Sequence, residues 1–438
     1  MESESLRVRL IMIIEFPFLR KYRNDRLRIM KNLLIIGHTF PEPTTTAAGS
    51  RMMQLISLFQ EQGFDITFAS TASVSEKSES LSKHGITTKS IELNNSSFND
   101  FIEELNPSIV LFDRYITEEQ FGWRVAEHCP NALRILDTED LHFLRKAREE
   151  VVKKGISVGE ANLFSDIAKR EIASIYRCDM SLIISEFEMD LLQKTFKIPK
   201  SILSYLPFLI EKLSEQELES LTSFEDRTHF ITIGNLLHAP NVDSVLYLKK
   251  EIWPEIRKEL PNAELHIYGA YAPQQIVELH NDKEGFLIKG WAEDVASVMS
   301  KAKVCLSPLR FGAGLKGKLF DAMVYGTPSV TTSIGAEGMN GELSFSGLVC
   351  NDENDIIRAS VELYANKNKW TQAQQRGFRI IDKRFRRELF SEEFKNMIIQ
   401  LQNNLNAHRE DNFMGQILQH HSLKSTKYLS KWIEEKNK

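Results

Sequence analysis

The chain of 438 residues lacks several features that would assign it to a specialised class of protein. It has only 4 cysteines, and no two of them form a Cys-x-x-Cys pair, so neither a disulfide framework nor a zinc site is indicated. This usage fits a reducing cytoplasm. A basic excess is also missing: the formal net charge of −5 argues against nucleic acid as a partner, because a phosphate backbone is bound by a basic face.

Long apolar runs are absent as well, since none approaches the roughly 18 residues that a membrane-spanning helix needs. The nearest one, residues 10–19, contains Glu15 and Pro17 and is followed by a basic stretch. A signal peptide would have a small-residue cleavage site after its apolar core, and none follows here. We therefore expect residues 1–30 to be an appendage before the first globular strand. The alternative is a weak basic amphipathic contact with a membrane.

The pattern of short apolar runs indicates the fold. Hydrophobic residues make up 42% of the chain, which is typical of globular proteins, and the length suits two or three domains. Apolar runs alternate with helical stretches from Leu33 to about Ile183, stop between Lys212 and Arg227, and resume at Phe230. Such alternation predicts parallel sheets covered by helices on both faces.

We therefore predict an α/β fold with two doubly wound, Rossmann-like domains at residues 31–211 and 228–395, and a helical C-terminal tail at 396–438. The two domains would face a cleft, with the carboxyl ends of their strands at its walls. Ligands of open α/β sheets bind at those strand ends, so the functional site is expected there.

A glycine-rich segment in the second domain carries the strongest chemical signal. Residues 311–323 read as a glycine turn followed by a helix, with Lys316 and Lys318 in the first helical turn. A helix N-terminus already has positive potential and free N–H groups, so lysines there are unfavourable unless an anion binds. Phosphate is the usual anion at such ends, which predicts a diphosphate-bearing ligand. The alternative is a solvated helix face with an ion pair between Lys318 and Asp321.

Several segments of the second half, in order and spacing, resemble the family 4 (group 1) retaining glycosyltransferases, which have the GT-B fold. The chain departs from the family pattern in two places. The Glu-x7-Glu pair of many members is replaced by Ala313 and Asp321, and the loop after the first strand of the donor domain holds His238 instead of an Arg and a Lys. The segments that carry the resemblance are Gly234 with residues 238–243, residues 267–269, 290–294, 307–309, 312–323, 325–328 and 335–338.

The resemblance implies a glycosyl transferase of the EC 2.4 type that moves a sugar from a nucleotide-diphosphate sugar to a hydroxyl, with retention and without a metal or other cofactor. Lys316 and Lys318 would stabilise the departing diphosphate. The acceptor would be a glycan, a lipid-linked molecule or a small molecule, in cell-surface polysaccharide or glycoconjugate synthesis. The enzyme would be cytoplasmic. A peripheral contact at the inner face of the membrane belongs to the alternative interpretation of residues 1–30 given above. Residues expected to bind the donor are Gly234, His238, Trp291, Gly312, Gly314, Asp321, Gly335 and Glu337.

The resemblance also implies that the tail crosses back and packs on the first domain. The sequence offers an apolar face for this contact, formed by Phe413, Ile417, Leu418, Tyr428, Leu429, Trp432 and Ile433.

Polar residues after the strands of the first domain are expected to face the acceptor. Asp137 and His142 follow a strand directly and are candidates to orient the acceptor hydroxyl or accept its proton. The alternative is a helix N-cap at Asp137 or Thr138. Ser50, Arg51 and Asp113 are further acceptor-side candidates.

Two other functions remain open. A non-catalytic relative would bind a nucleotide-sugar or a glycan within a biosynthetic assembly, and the changes at Ala313 and Asp321 are compatible with it. A dinucleotide-dependent oxidoreductase is disfavoured, because no Gly-x-Gly-x-x-Gly follows the first strand.

Overall fold

The computed structural model describes residues 31–437, so the predicted appendage of residues 1–30 lies outside the described residues. A sheet of 7 strands belongs to the first half of the chain, and each pair of neighbours in it is parallel. Its strands are β1 (Asn32–Gly37), β2 (Asp65–Ser70), β3 (Thr87–Ser90), β4 (Ile109–Asp113), β5 (Leu133–Asp137), β6 (Met180–Ile183) and β7 (Leu203–Tyr205). Their order across the sheet is β3-β2-β1-β4-β5-β6-β7.

A second sheet of 6 strands follows, again with parallel neighbours. Its strands are β8 (His229–Ile233), β9 (Leu265–Tyr268), β10 (Phe286–Gly290), β11 (Ala302–Ser307), β12 (Ser329–Thr331) and β13 (Gly347–Val349), in the order β10-β9-β8-β11-β12-β13. The predicted α/β fold of two doubly wound domains is thereby confirmed.

Helices connect the strands of both sheets. In the first domain they are α1 (Ala47–Glu61), α2 (Ser97–Leu105), α3 (Arg114–His128), α4 (His142–Lys154), α5 (Asp166–Arg177) and α6 (Glu186–Lys194). The link and second domain contain α7 (Glu215–Glu219), α8 (Ala239–Tyr247), α9 (Trp253–Glu259), α10 (Gln274–Val277), α11 (Val295–Met299), α12 (Gly317–Val324), α13 (Ser333–Ala336), α14 (Glu353–Ala365) and α15 (Lys367–Arg384). The C-terminal helices are α16 (Ser391–Asn403), α17 (Leu405–Asp411) and α18 (Phe413–Lys436). None of the helices in residues 31–437 is long and apolar enough to cross a membrane.

The central strands are apolar because helices cover both of their faces. Leu33, Leu34, Ile35 and Ile36 of β1 are all 0% exposed. In each sheet the strand order reverses next to the first strand, between β1 and β4 and between β8 and β11. On either side of such a point, the connecting loops run to opposite faces of the sheet, so a crevice forms at the strand ends. The crevices of both sheets open into the cleft between the domains.

The chain crosses back to the first domain between Phe385 and Phe390. Ile210 of the link donates its N–H to the Phe385 carbonyl over 2.9 Å and accepts from the Arg387 N–H over 2.8 Å. Helix α16 then packs into the core of the first domain with apolar side chains that include Phe394 and Ile398. The chain therefore returns to the first domain just after α15.

Helix α18 lies on the first domain, against α3 and α5. The face that makes this contact differs from the predicted one: Gly415 and Ser430 are buried, whereas Phe413, Tyr428 and Trp432 are 65%, 65% and 60% exposed. The small residues allow α18 to approach the domain closely. Leu418 and Ile433 of the predicted face are half-buried, whereas its other large apolar side chains are exposed.

Candidate active site

The glycine-rich loop between β11 and α12 brings both predicted lysines to the start of the helix. Gly314 has a φ of +63°, a left-handed conformation that favours glycine. Lys316 is 8% exposed, and its Nζ donates to the carbonyls of Ala313 and Gly314 over 3.1 and 2.6 Å. Lys318 donates to Asn241 Oδ1 over 2.8 Å. Burial lowers the pKa of both lysines, that of Lys318 to about 8. An anion at this loop would therefore stabilise their charged forms.

The alternative ion pair between Lys318 and Asp321 is not formed, since Lys318 is engaged by Asn241 instead. Within residues 31–437 no side chain donates to the Asp321 carboxyl. Burial raises the pKa of Asp321 from 3.8 to about 7. This carboxyl therefore retains its capacity to accept hydrogen bonds from a ligand.

Two helix N-termini meet at this loop, one from each domain. A Cβ on Gly317, the first residue of α12, would lie 2.6 Å from the Cβ of Ala47, the first residue of α1. Next to this contact, a Cβ on Gly314 would lie 2.9 Å from the Cβ of Asp140. The two positive helix ends add their potentials beside the lysines, where a phosphate would be favoured.

The second glycine turn, at residues 335–338, places Glu337 against the first domain. Arg148 of α4 donates to both carboxylate oxygens of Glu337 over 2.9 and 2.8 Å and to the Gly312 carbonyl over 2.8 Å. A Cβ on Gly335 would lie 1.9 Å from Thr331 Oγ1, so only glycine fits there. The pairing of Glu337 was not foreseen, because nothing in the sequence links it to Arg148.

The remaining predicted donor residues surround the same loop. A Cβ on Gly234 would lie 2.6 Å from Nδ2 of Asn241, the residue that holds Lys318. His238 precedes α8, and its pKa falls to about 4 through burial and the nearby charge of Arg145. Trp291 donates its Nε1–H to the Thr44 carbonyl of the first domain over 3.2 Å. It therefore bridges the mouth of the cleft.

Two predicted acceptor-side residues form a buried ion pair with each other. Arg51 Nε and Nη2 donate to Asp137 Oδ1 over 3.0 and 2.8 Å, and the side chains are only 1% and 0% exposed. Arg51 Nη1 also donates to the Leu206 carbonyl over 2.7 Å. This arrangement fixes the ends of β5 and α1 relative to each other. It puts no free carboxylate oxygen of Asp137 in the cleft.

Asp113 and Ser50 likewise have local partners. Asp113 is 4% exposed, and its Oδ2 accepts the N–H of His38 over 2.9 Å, which fixes the loop after β1. The Ser50 hydroxyl donates to the Pro43 carbonyl over 2.9 Å.

His142 stands beside a carboxylate at the start of α4. Its Nε2 is 3.4 Å from Asp140 Oδ1, and Arg145 Nε donates to the other oxygen of Asp140 over 2.7 Å. Burial alone would raise the pKa of Asp140, but Arg145 and His142 outweigh it, so the pKa lies below the ordinary range. Burial lowers the pKa of His142 to about 4, so the imidazole is neutral near pH 7. A neutral ring can accept a proton from a hydroxyl.

Three further charged residues complete the cleft. Arg114 and Glu139, at the ends of β4 and β5, both have left-handed backbones, with φ of +70° and +63°. Non-glycine residues in this conformation are strained and concentrate at functional sites. Glu188 accepts the N–H groups of Leu141 and Gly314 over 3.0 and 2.8 Å and so ties the two domains together. Arg114 and Glu139 can be found in the sequence as charged residues directly after strands. Glu188 lies within a helix, and no sequence pattern marks it.

Residues 31–437 contain no group of three or more His, Cys, Asp or Glu side chains that could hold a metal ion.

The sequence of the second domain matches a known family. Residues 227–366 match the family model described as "Glycosyl transferases group 1". These residues form a group 1 glycosyl transferase domain. Its glycine-rich loops and both lysines fall inside the match, so the resemblance to this family is confirmed.

Solved structures with this domain arrangement are similar along most of the chain. Sucrose-phosphate synthase from Thermosynechococcus elongatus is 14% identical with a TM-score of 0.63, over 85% of this chain and 99% of that one. Anabaena Alr3699/HepE in complex with UDP is 11% identical with a TM-score of 0.61, over 85% and 100%. The likeness confirms the GT-B fold.

Two further proteins are similar to this chain, one in structure and one in sequence. A mutant of S. aureus TarM, in complex with fondaparinux, α-GlcNAc-glycerol and UDP, is 16% identical with a TM-score of 0.53, over 68% of this chain and 58% of its own length. An uncharacterized 44.6 kDa protein in the cps region of Klebsiella pneumoniae is 21% identical, over 84% of this chain and 100% of its own. The match to the group 1 glycosyl transferase model supports a glycosyltransferase.

Proposed function

We propose that this chain is a cytoplasmic, metal-independent retaining glycosyltransferase that moves a sugar from a uridine-diphosphate sugar to a hydroxyl of a growing cell-surface polysaccharide. The observation that carries the proposal is the pair Lys316 and Lys318 at the meeting point of two helix N-termini, within the group 1 domain. Uridine is chosen because the structures of HepE and TarM contain UDP. The polysaccharide is chosen because the Klebsiella relative is named for a cps region.

Each side of the cleft has a role in this proposal. Cleavage of the sugar–phosphate bond builds negative charge on the departing diphosphate, and Lys316 and Lys318 neutralise it in place of a metal. Asp321 accepts hydrogen bonds from the ribose hydroxyls. His142, supported by Asp140, orients the acceptor hydroxyl on the opposite wall. Arg51 and Asp137 act as positioning residues, because their ion pair fixes the strand ends that carry this wall.

The proposal is tested with the purified chain and a panel of nucleotide-sugars. Thermal shift identifies the donor, since a ligand at about 100 times its dissociation constant stabilises a protein by about 2.7 kcal/mol. Nucleotide release is then measured with and without acceptor glycans, in excess chelator, and the anomeric configuration of the product is determined. Turnover that chelator abolishes and magnesium or manganese restores would contradict the metal-independent reaction.

The alternative is a non-catalytic member of a biosynthetic assembly. The replacement of the Glu-x7-Glu pair by Ala313 and Asp321 favours it. It predicts that donor binding raises the melting temperature while neither transfer nor hydrolysis of the donor occurs.

A further inference from the structure

Helix α18 exposes large apolar side chains near both of its ends, on the side that faces away from the first domain, and Lys424 and Ser425 lie between the two groups. Single exposed apolar residues are common on proteins, but several along one helix face indicate an interaction surface. We define the outer face of α18 by five residues with their exposed fractions: Met414 52%, Ile417 38%, Tyr428 65%, Leu429 57% and Trp432 60%.

The opposite face of α18 fixes the orientation of the helix. A Cβ on Gly415 would lie 2.2 Å from the carbonyl oxygen of Tyr176, so α18 touches the C-terminal end of α5. Ser430 is 4% exposed and accepts from Arg124 of α3 over 3.2 Å. These contacts are incompatible with a rotation of α18 that would bury its outer face. The outer face can therefore be buried only by a binding partner.

Charge indicates which kind of partner fits. Helix α18 contains four lysines and two glutamates, whereas the whole chain has a net charge of −5. Lys424, Lys431 and Lys436 are exposed, and Lys436 Nζ lies 5.2 Å from the centre of the Trp432 ring. Apolar side chains flanked by lysines, with Trp and Tyr among them, are typical of helices that lie in the interface of an anionic membrane.

A second copy of the chain fits this face less well. A twofold interface would place the outer face of one α18 against that of another, and the flanking lysines would then repel each other. Anionic lipid headgroups instead attract these lysines, and the aromatic rings can lie at the boundary between headgroups and acyl chains.

We propose that the outer face of α18 binds the surface of an anionic lipid membrane, with the helix parallel to that surface. A helix of 24 residues is about 36 Å long, so its contact can fix the orientation of the first domain on the membrane. This inference does not depend on the proposed transfer reaction, because the cleft residues take no part in it.

The experiment measures sedimentation of the full chain with vesicles of phosphatidylcholine, alone or mixed with phosphatidylglycerol. We expect the unaltered protein to bind the anionic vesicles and to be released by salt. The triple variant Tyr428→Ser, Leu429→Ser, Trp432→Ser should lose roughly tenfold or more in vesicle affinity, since it removes most of the apolar contact. Ile399→Ser is the matched control, because Ile399 is 46% exposed on another helix.

Further measurements separate a binding defect from misfolding and from self-association. The triple variant should keep the melting temperature and nucleotide affinity of the unaltered protein. If it does not fold, Trp432→Phe still gives a test, because the blue shift of tryptophan fluorescence on vesicle addition should disappear. Equal vesicle binding by the triple variant would overturn the proposal. So would a dimer of the unaltered protein that this variant splits while vesicles remain unbound.

Discussion

At the scale of single residues, the lysines of the donor loop are placed at a cost to the folded protein. Lys316 is held on backbone carbonyls and Lys318 on an asparagine oxygen, and burial disfavours the charge on both. Neither contributes an ion pair that would compensate within the loop. Their position is explained if their charge serves a bound anion rather than the fold.

Replacing Lys318 by Gln tests this explanation. We expect the free energy of unfolding to be unchanged or a few tenths of a kcal/mol higher, because a positive charge leaves the N-terminal end of α12. Turnover should fall by a factor of about 10²–10³, as when one donor to a developing anion is removed. Lys250→Gln, on an 82% exposed lysine, is the control for charge alone. A less stable variant with near-native turnover would instead assign Lys318 to the fold.

Asp321 gives a prediction about pH. Its pKa is about 7 in the folded chain against 3.8 ordinarily, so between about pH 4 and pH 7 the unfolded chain releases this proton and the folded chain keeps it. Stability from this group is therefore present below pH 4 and is lost as the pH rises through 7. The melting temperature of Asp321→Asn should equal that of the unaltered protein near pH 4 and exceed it increasingly up to about pH 7.

Two measurements make this prediction specific. Asp65→Asn, at an exposed position of β2, is the matched control. Nucleotide affinity should fall in Asp321→Asn, since the amide offers one acceptor oxygen instead of two. Parallel melting curves at all pH values would mean that this carboxyl is well solvated in the folded chain.

At the scale of elements, the sequence predicts the strands that are buried and apolar and misses the others. The two strands that it misses are β3 and β7, and each omission has a physical reason. Strand β3 is a polar edge strand, exposed along its whole length, and β7 has only three residues. The prediction of helix α12 with its lysines is correct, because the glycines before it and the electrostatics of its N-terminus involve only residues close together in the sequence. The contacts of Arg148 with Glu337 and of Glu188 with Gly314 join segments more than a hundred residues apart, which a local pattern cannot reveal.

The meeting of helices α1 and α12 gives a prediction of its own. Gly317→Ala should leave the second domain as stable or more so, since alanine favours helix by roughly 0.5–1 kcal/mol over glycine. Its Cβ would nevertheless lie 2.6 Å from the Cβ of Ala47, so the domains could not close as they do here. We expect kcat/KM to fall while the melting temperature is maintained.

A compensating change makes this test decisive. The double variant Ala47→Gly, Gly317→Ala removes the clash and should recover most of the lost kcat/KM. Gly159→Ala is the control, because the nearest atom to its new Cβ would be 3.7 Å away. Failure of the double variant to recover would place the defect within α12 itself rather than in the contact between helices.

At the scale of the whole molecule, polar contacts hold the two domains in a closed arrangement. Arg384 of α15 donates to Glu186 of α6, and the Tyr271 hydroxyl donates to Glu42 across the mouth of the cleft. Arg148 and Glu337 form the bidentate pair at its centre, with side chains 7% and 11% exposed. A donor sugar must enter and leave a cleft that these contacts close, so opening is expected to be part of the catalytic cycle.

The pair of Arg148 and Glu337 therefore decides how readily the cleft opens. In Arg148→Gln the Glu337 carboxylate loses its partner, and a charge left unpaired away from water is costly. Opening restores water to that carboxylate, so we expect the ligand-free variant to have a larger radius of gyration in solution scattering and a higher KM for the donor.

The double variant with Glu337→Gln removes the unpaired charge, and the free-energy effects of the two changes should be non-additive by about 0.5–3 kcal/mol. Arg170→Gln is the matched control, because Arg170 forms a bidentate pair with Glu119 inside the first domain. If Arg148→Gln scattered like this control and kept its donor KM, closure would rest on the other interdomain contacts, such as the Glu188 carboxylate with the Gly314 N–H and Arg384 with Glu186.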